Sequence, residues 1–188
     1  MRTTINISQD SRIFGSTYFS ICYNYSFRGD LQWMGFDLNV FFQGVGQCDW
    51  MPSSYCDYFW GTYRNGRPSF ISKKFESLCW SEENPDAYFP RRRLNYATSS
   101  FGNKNNDRYL QDASYLRLKN LTFGYTIPFK SRVIEKCRVY FSGENLYYWS
   151  PLKKHCDTID PEVATTGAYG DAMYPFSKTF SLGVDITF

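Results

Sequence analysis

The last nine residues, Phe180–Phe188, constrain this chain more than any other stretch. Phe180, Leu182, Val184, Ile186 and Phe188 share one parity, and Ser181, Gly183, Asp185 and Thr187 share the other. Side chains of a strand alternate between two faces, so this segment offers one wholly apolar face and one small or polar face. The closing strand of a soluble sandwich has the same alternation. A membrane-spanning barrel strand explains the terminal aromatic as well. Lipid takes the apolar face, water in the lumen takes the polar one, and about 9–11 residues are enough to cross.

Composition is compatible with that reading. The chain has 188 residues, enough for one domain. Its hydrophobic fraction is an ordinary 43%, and no apolar run reaches the roughly 18 residues of a transmembrane helix. Barrel strands place an apolar residue only at every second position, so barrels look polar on average. Aromatic residues make up 20%, which suits strands and membrane-interface girdles. A net charge of +3, with no long basic stretch interleaved with aromatics, speaks against nucleic acid as a partner. Met1–Asp10 lacks the apolar core of a signal peptide, so an export signal is expected to be missing from these residues.

Alternation predicts five strands, at Thr17–Phe27, Phe36–Gln43, Ser114–Ile127, Arg138–Trp149 and the C-terminus. Phe41 breaks the pattern of the second. In the fourth, Val139 and Phe141 differ in parity from Leu146 and Tyr148, and a bulge near Gly143 restores the phase. In the third, Arg117 and Lys119 share the apolar parity, so that half is expected to protrude above the bilayer. The connections alternate in length. Short ones are expected at 28–35 and 128–137, the second with a helical turn. Long ones are expected at 44–112 and 150–177, the first irregular and interrupted by residues such as Gly66 and Pro68. Short periplasmic turns and long extracellular loops have this asymmetry, and it puts residues 1 and 150 on the outside. Trp33 falls at the lower border, and Tyr147, Tyr148 and Trp149 at the upper one.

Little in the chain suggests catalysis. The single histidine, His155, reads as an exposed loop residue without a positioned partner. Glu82, Glu83 and Asp86 lie in a turn-forming segment. Asp157, Asp160 and Glu162 lack the spacing of a calcium loop. Arg91–Arg93 is a basic triplet typical of a solvated loop face. Cysteines 22, 48, 56, 79, 137 and 156 lack zinc-site spacing, and Cys48 with Cys56 would close a small loop if oxidised. Neither a metal nor a cofactor is expected. Ser142 and Glu144 are candidate lumen-facing residues by parity.

Several motifs carry a family resemblance. The run Ser114-Tyr-Leu-Arg-Leu-Lys-Asn-Leu-Thr-Phe-Gly-Tyr-Thr-Ile-Pro128 resembles a strand of SusC/RagA-type TonB-dependent outer-membrane transporters. Arg138–Leu146 resembles the strand that follows it. Asp160-Pro-Glu-Val163 resembles the last external loop. Tyr174-Pro175 and Phe180–Phe188 resemble the C-terminal ending. Gly35–Gly44 and Trp80–Ala87 match further motifs, in the same order. The turn before Gly35 departs from the pattern, with Asp30–Met34 reading as an insertion.

The resemblance implies an all-β, antiparallel transmembrane β-barrel fragment, an open sheet of about five C-terminal strands with long extracellular loops. Residues 1–188 would be the C-terminal barrel segment, without plug domain or signal peptide. The expected location is the bacterial outer membrane. The expected function is a share in a TonB-linked importer of oligosaccharides or peptides, not an enzyme, and inactive as an isolated fragment. Outer-membrane lipid and the barrel-assembly machinery would be direct partners. A SusD-like lipoprotein and TonB would engage the full-length parent. The barrel-assembly signal would be Phe180, Leu182, Val184, Ile186 and Phe188. The alternative class is a soluble β-sandwich carbohydrate-binding module, which requires two opposed sheets sharing one core.

Overall fold

Period-two alternation forces extended backbone, and extended backbone must pair its N–H and C=O groups with neighbours. The computed structural model describes residues 2–14, 18–64, 72–93, 95–98, 107–128, 134–164 and 176–188, and for 8–21 only the backbone. Eight strands occur among them: β1 (Arg2–Phe14), β2 (Tyr18–Trp33), β3 (Phe36–Gly46), β4 (Asp49–Trp50), β5 (Gln111–Asp112), β6 (Tyr115–Pro128), β7 (Lys136–Trp149) and β8 (Thr179–Thr187). β4 and β5 form a small separate ribbon. The other six make one antiparallel sheet in the order β1-β2-β3-β6-β7-β8, each beside its chain neighbour in that set. The sheet is open, and among the described residues no second sheet covers its apolar face, which speaks against the sandwich alternative.

The first strand was not expected. Arg2–Phe14 pairs with β2 along its whole length, with Ile5 opposite Phe27 and Ile7 opposite Tyr25. Only those two residues of its N-terminal half are apolar, so the alternation is faint. β1 therefore replaces Thr17–Phe27 as the unpaired edge, with β8 at the other edge. It also places Arg2 opposite Asp30, at the short-turn end and not on the side of the long loops, where the first residues were expected. Thr17 lies outside the described residues.

The turn expected over 28–35 is tighter. β2 stays paired to Trp33, which faces Phe36, and the reversal needs only Met34 and Gly35. Both have positive φ, 48° and 86°, the type I′ geometry that suits the twist of a hairpin. Asp30–Trp33 thus lengthens the paired hairpin, and of the residues Asp30–Met34 only Met34 lies in the turn itself. The link between β6 and β7 is also short, but 129–133, with the expected helical turn, lie outside the described residues.

A β-bulge at Lys119 reassigns the basic residues of β6. Phe41 pairs with Asn120 and Phe42 with Leu118, skipping Lys119. Arg117 is thereby moved to the face of Gln43, opposite to Leu116 and Leu118. The parity reading had put Arg117 on the apolar face. β7 absorbs its own irregularity between Glu144 and Tyr147, close to the expected Gly143.

One sheet face carries Ile5, Leu31, Phe36, Phe123, Val139 and the terminal apolar series, all exposed. They touch only one another along the sheet, as in the stacking of Phe36 on Phe123, and no other layer of the described residues covers them, which suits a lipid-facing surface. The chain's main buried core lies elsewhere. The stretch from Gln47 to Ala113 is not irregular throughout. It holds the short helices α1 (Asp57–Trp60) and α2 (Lys73–Ser77), and its aromatics pack together. Trp60, 1% exposed, meets Phe59 and Tyr109 with ring centroids 5.0 and 4.9 Å apart. Leu152, Ile159 and Ala164 from the second long loop join the same core. The two long loops therefore form one cap at one end of the sheet. Burying aromatic rings of this size offsets the entropy of ordering so long a connection.

Candidate functional site

Opposite the apolar face lies a polar wall, with two ion-pair clusters and the cap above. Nearest the short turns, Arg138 of β7 reaches across β6 to Asp37 of β3. Its Nε and second guanidinium nitrogen donate to the two Asp37 oxygens at 2.9 and 2.6 Å. A third contact reaches Asp185 of β8 at 3.3 Å. One bidentate arginine thus ties strands that are not adjacent. Gly124 lies beneath it, where a Cβ would stand 2.5 Å from an Asp37 oxygen and 2.9 Å from Arg138 Nε. Beside it the Tyr140 ring lies over Gly183, occupying the space of a side chain there. Glycines on the polar parity mark places where a neighbour's long side chain lies flat on the sheet.

The second cluster stands at the cap end. Arg117, 2% exposed, donates to Asp160, and its Nε lies 3.3 Å from Glu162 Oε2. Lys119 donates to both Glu162 oxygens at 3.0 and 2.9 Å. Phe176 covers both cations, with Arg117 5.2 Å and Lys119 4.6 Å from its ring centroid. Asp160 Oδ1 also accepts the Glu162 N–H at 3.0 Å, which opens the short helix α3 (Pro161–Ala164). The bulge at Lys119 brings both cations to these carboxylates. Asp160 and Glu162, weighed above as calcium ligands, are instead neutralised by cations. No group of metal-ligating side chains occurs among the described residues.

Two further residues change role. Tyr148, expected in the upper girdle, turns inward beneath Lys153, whose Nζ lies 3.8 Å from its ring centroid. Lys153 also donates to the Tyr148 carbonyl at 2.8 Å. Burial and Lys178 hold the Lys153 pKa below its usual range. His155 is half-buried and not an exposed loop residue. It stacks flat on Tyr88 at 3.8 Å, and its Nδ1 lies 3.1 Å from Gln111 Oε1. Burial first, then Lys154 and Lys74, push its pKa below the usual value. Within the cap core, burial raises the Tyr63 and Tyr109 phenols.

The remaining sequence candidates sit as follows. Phe180, Leu182, Val184, Ile186 and Phe188 are all exposed, and Leu182, at 82%, meets almost nothing. Ser142 lies opposite Thr122 and Ser181, with its hydroxyl 3.2 Å from that of Thr122. Glu144 is exposed, opposite Asn120 and Thr179. Trp33, Tyr147 and Trp149 are exposed at the two borders. Glu82, Glu83 and Asp86 are exposed in a turn. Arg92 reaches Glu76 at 3.2 Å on the cap surface. Cys48 lies against Cys22 and not beside Cys56, which is in the aromatic core. Tyr174 and Pro175 lie outside the described residues. Sequence reasoning missed Asp37, Arg138 and Asp185 as a set, although charges on the polar parity of three strands were a visible signal.

An open antiparallel sheet with an exposed apolar face, a polar face and a cap at one end defines part of a transmembrane β-barrel wall. No family model matches the chain. It is 27% identical over 178 residues to TonB-dependent receptor P26 of Formosa agariphila, covering 87% of this chain and 17% of the relative. It is 28% identical over 172 residues to TonB-dependent receptor P3 of the same organism, covering 86% and 16%. Its fold matches the structure of the RagAB peptide transporter, with TM-score 0.56 at 23% identity, over 90% of this chain and 17% of that one. The same importer in its open-open state matches with TM-score 0.55. The chain thus spans about one sixth of the length of its curated relatives. Over most of its length the chain is thus similar to a portion of the TonB-dependent receptors, and its fold is that of a wall segment of such a transporter's β-barrel.

Proposed function

We propose that these residues form the closing wall of a TonB-linked outer-membrane importer for oligosaccharides or peptides. The observation that carries this is the two-faced sheet. An apolar surface this large and unpartnered suits lipid, and the polar surface behind it suits a watery path. In this reading the Arg138 cluster, Ser142 and Glu144 face the lumen. The plug and the energy-coupling segment are supplied by residues other than these 188. A SusD-like lipoprotein rests over the cap. The wall has a structural and positioning role and performs no catalysis. The structural neighbour RagAB is a peptide transporter, which favours peptides over sugars as the substrate class.

The terminal apolar series, ending at Phe188, serves as the signal for the barrel-assembly machinery. Deleting Phe188 from the full-length parent is expected to lower its outer-membrane yield, and an unchanged yield removes that assignment.

The isolated 188-residue chain is expected to transport nothing. Its sheet leaves two edges unpaired, and each unsatisfied backbone group costs several kcal/mol in hydrocarbon. The test compares the full-length parent with this chain in liposomes. The parent should give a heat-modifiable barrel, and its deletion from the cell should abolish uptake of the oligopeptide or oligosaccharide it serves. Solute flux through a stable species made from these residues alone would overturn the proposal.

A further inference from the structure

We propose that Cys22 and Cys48 are joined by a disulfide that fastens the root of the cap to the barrel wall. Strand register brings them together. Tyr23 of β2 lies opposite Gly46 at the end of β3, so Cys22 and Cys48 sit just beyond that pair on neighbouring segments. Their sulfurs are 2.7 Å apart although the residues are 26 positions apart in sequence. Cys22 is fully buried and Cys48 is 1% exposed, in a small apolar cluster with Val45 and Tyr115. Cys48 is also held from its other side. Its carbonyl accepts the Ala113 N–H at 2.7 Å, and its own N–H donates to Ser114 Oγ at 3.3 Å. Cys48 is where β3 leaves the sheet for the cap, and Ala113 is where the cap returns to β6. A bond at Cys48 therefore pins both ends of the long loop to β2.

The chemistry balances with one co-reactant, a dithiol–disulfide oxidant of the cell envelope. A thiolate of the pair attacks a sulfur of the oxidant's disulfide, forming a mixed disulfide and releasing the oxidant's other thiolate. The second cysteine thiolate then attacks the sulfur of its partner cysteine and displaces the oxidant as a dithiol. Two protons and two electrons leave the cysteine pair, and the oxidant accepts both. An outer-membrane chain passes through a compartment where such bonds form and persist. The proposal rests on the outer-membrane reading for that oxidant alone. Once strands and cap close, neither sulfur is reachable, so exchange takes place before closure and the finished bond resists soluble reductants.

The test uses the full-length parent purified from outer membranes without reductant, denatured in N-ethylmaleimide, and digested with trypsin. Cys22 falls in the peptide Ile13–Arg28, and Cys48 with Cys56 in Gly29–Arg64. The expected result is that these two peptides are linked, lighter by two hydrogens than their sum, and separate on reduction. Cys56→Ser should preserve the link, and Cys22→Ser should leave Cys48 labelled. Maleimide on both Cys22 and Cys48, or a Cys48–Cys56 bond, overturns the proposal. Heat-modifiable mobility of the same preparation reports separately whether the barrel reading stands.

Discussion

The guanidinium of Arg117 donates to the carboxylate of Asp160, 43 residues further along the chain, and both side chains are sealed from water. The contact joins the barrel wall to the second long loop. Losing one member of a buried pair leaves the other charged and desolvated, at about 3–5 kcal/mol. Arg117→Ala in the full-length parent is therefore expected to release residues 150–164 while the strands still assemble. Limited proteolysis of intact outer membranes should show new cleavage there, with normal heat-modifiable mobility. Cleavage identical to the wild type would mean that the ion pair does not hold the loop.

The two faces of β8 give opposite expectations for one substitution. Leu182 is exposed on the apolar face, and its neighbour Ser181 points to the polar side, opposite Ser142. An arginine facing lipid near the bilayer midplane costs about 2–4 kcal/mol, and one in a wet lumen costs far less. Leu182→Arg should therefore sharply reduce the yield of folded parent in the outer membrane, and Ser181→Arg should leave it nearly normal. Equal yields would contradict the assignment of faces.

The Tyr140 ring occupies the space above Gly183, where a Cβ would lie 2.3 Å from its Cζ atom. Forcing a side chain into such a site costs about 1–3 kcal/mol. Gly183→Val should lower the temperature at which the parent's barrel unfolds in detergent, and Tyr140→Ala in the same chain should recover most of the loss. An equal loss in single and double variants would assign the effect to backbone and not to the ring.

His155 should make the cap sensitive to acid. Its folded pKa lies below the usual 6.5, chiefly through burial. The opened cap therefore takes up a proton at a pH where the closed cap does not. Cap stability is full above pH 6.5 and declines as pH falls toward the folded pKa. Hydrogen exchange over residues 150–164 should accelerate across that window, and His155→Gln should flatten the change. A slope that persists in the variant would place the acid sensitivity elsewhere.

The strand pattern was legible because each core strand must satisfy two solvents at once. Phe180–Phe188, Phe36–Gln43 and Leu121–Ile127 announce their faces through strict alternation, and their order in the sheet follows from short hairpin connections. β1 was hidden because half a strand with two isoleucines carries too little apolar signal. Arg117 was misassigned because parity counting assumes an unbroken ladder. One extra residue at Lys119 reverses every face beyond it.

The amino-acid sequence by itself determined that the chain forms long strands with one apolar and one polar face, since period two is a local property of extended backbone. Only the tertiary structure decided that the long loops share one aromatic core. The same holds for Arg138 reaching past β6 to Asp37, and for Cys22 meeting Cys48. Those contacts join residues far apart in sequence, and they depend on register, on one bulge and on loop closure, none of which a local periodicity encodes.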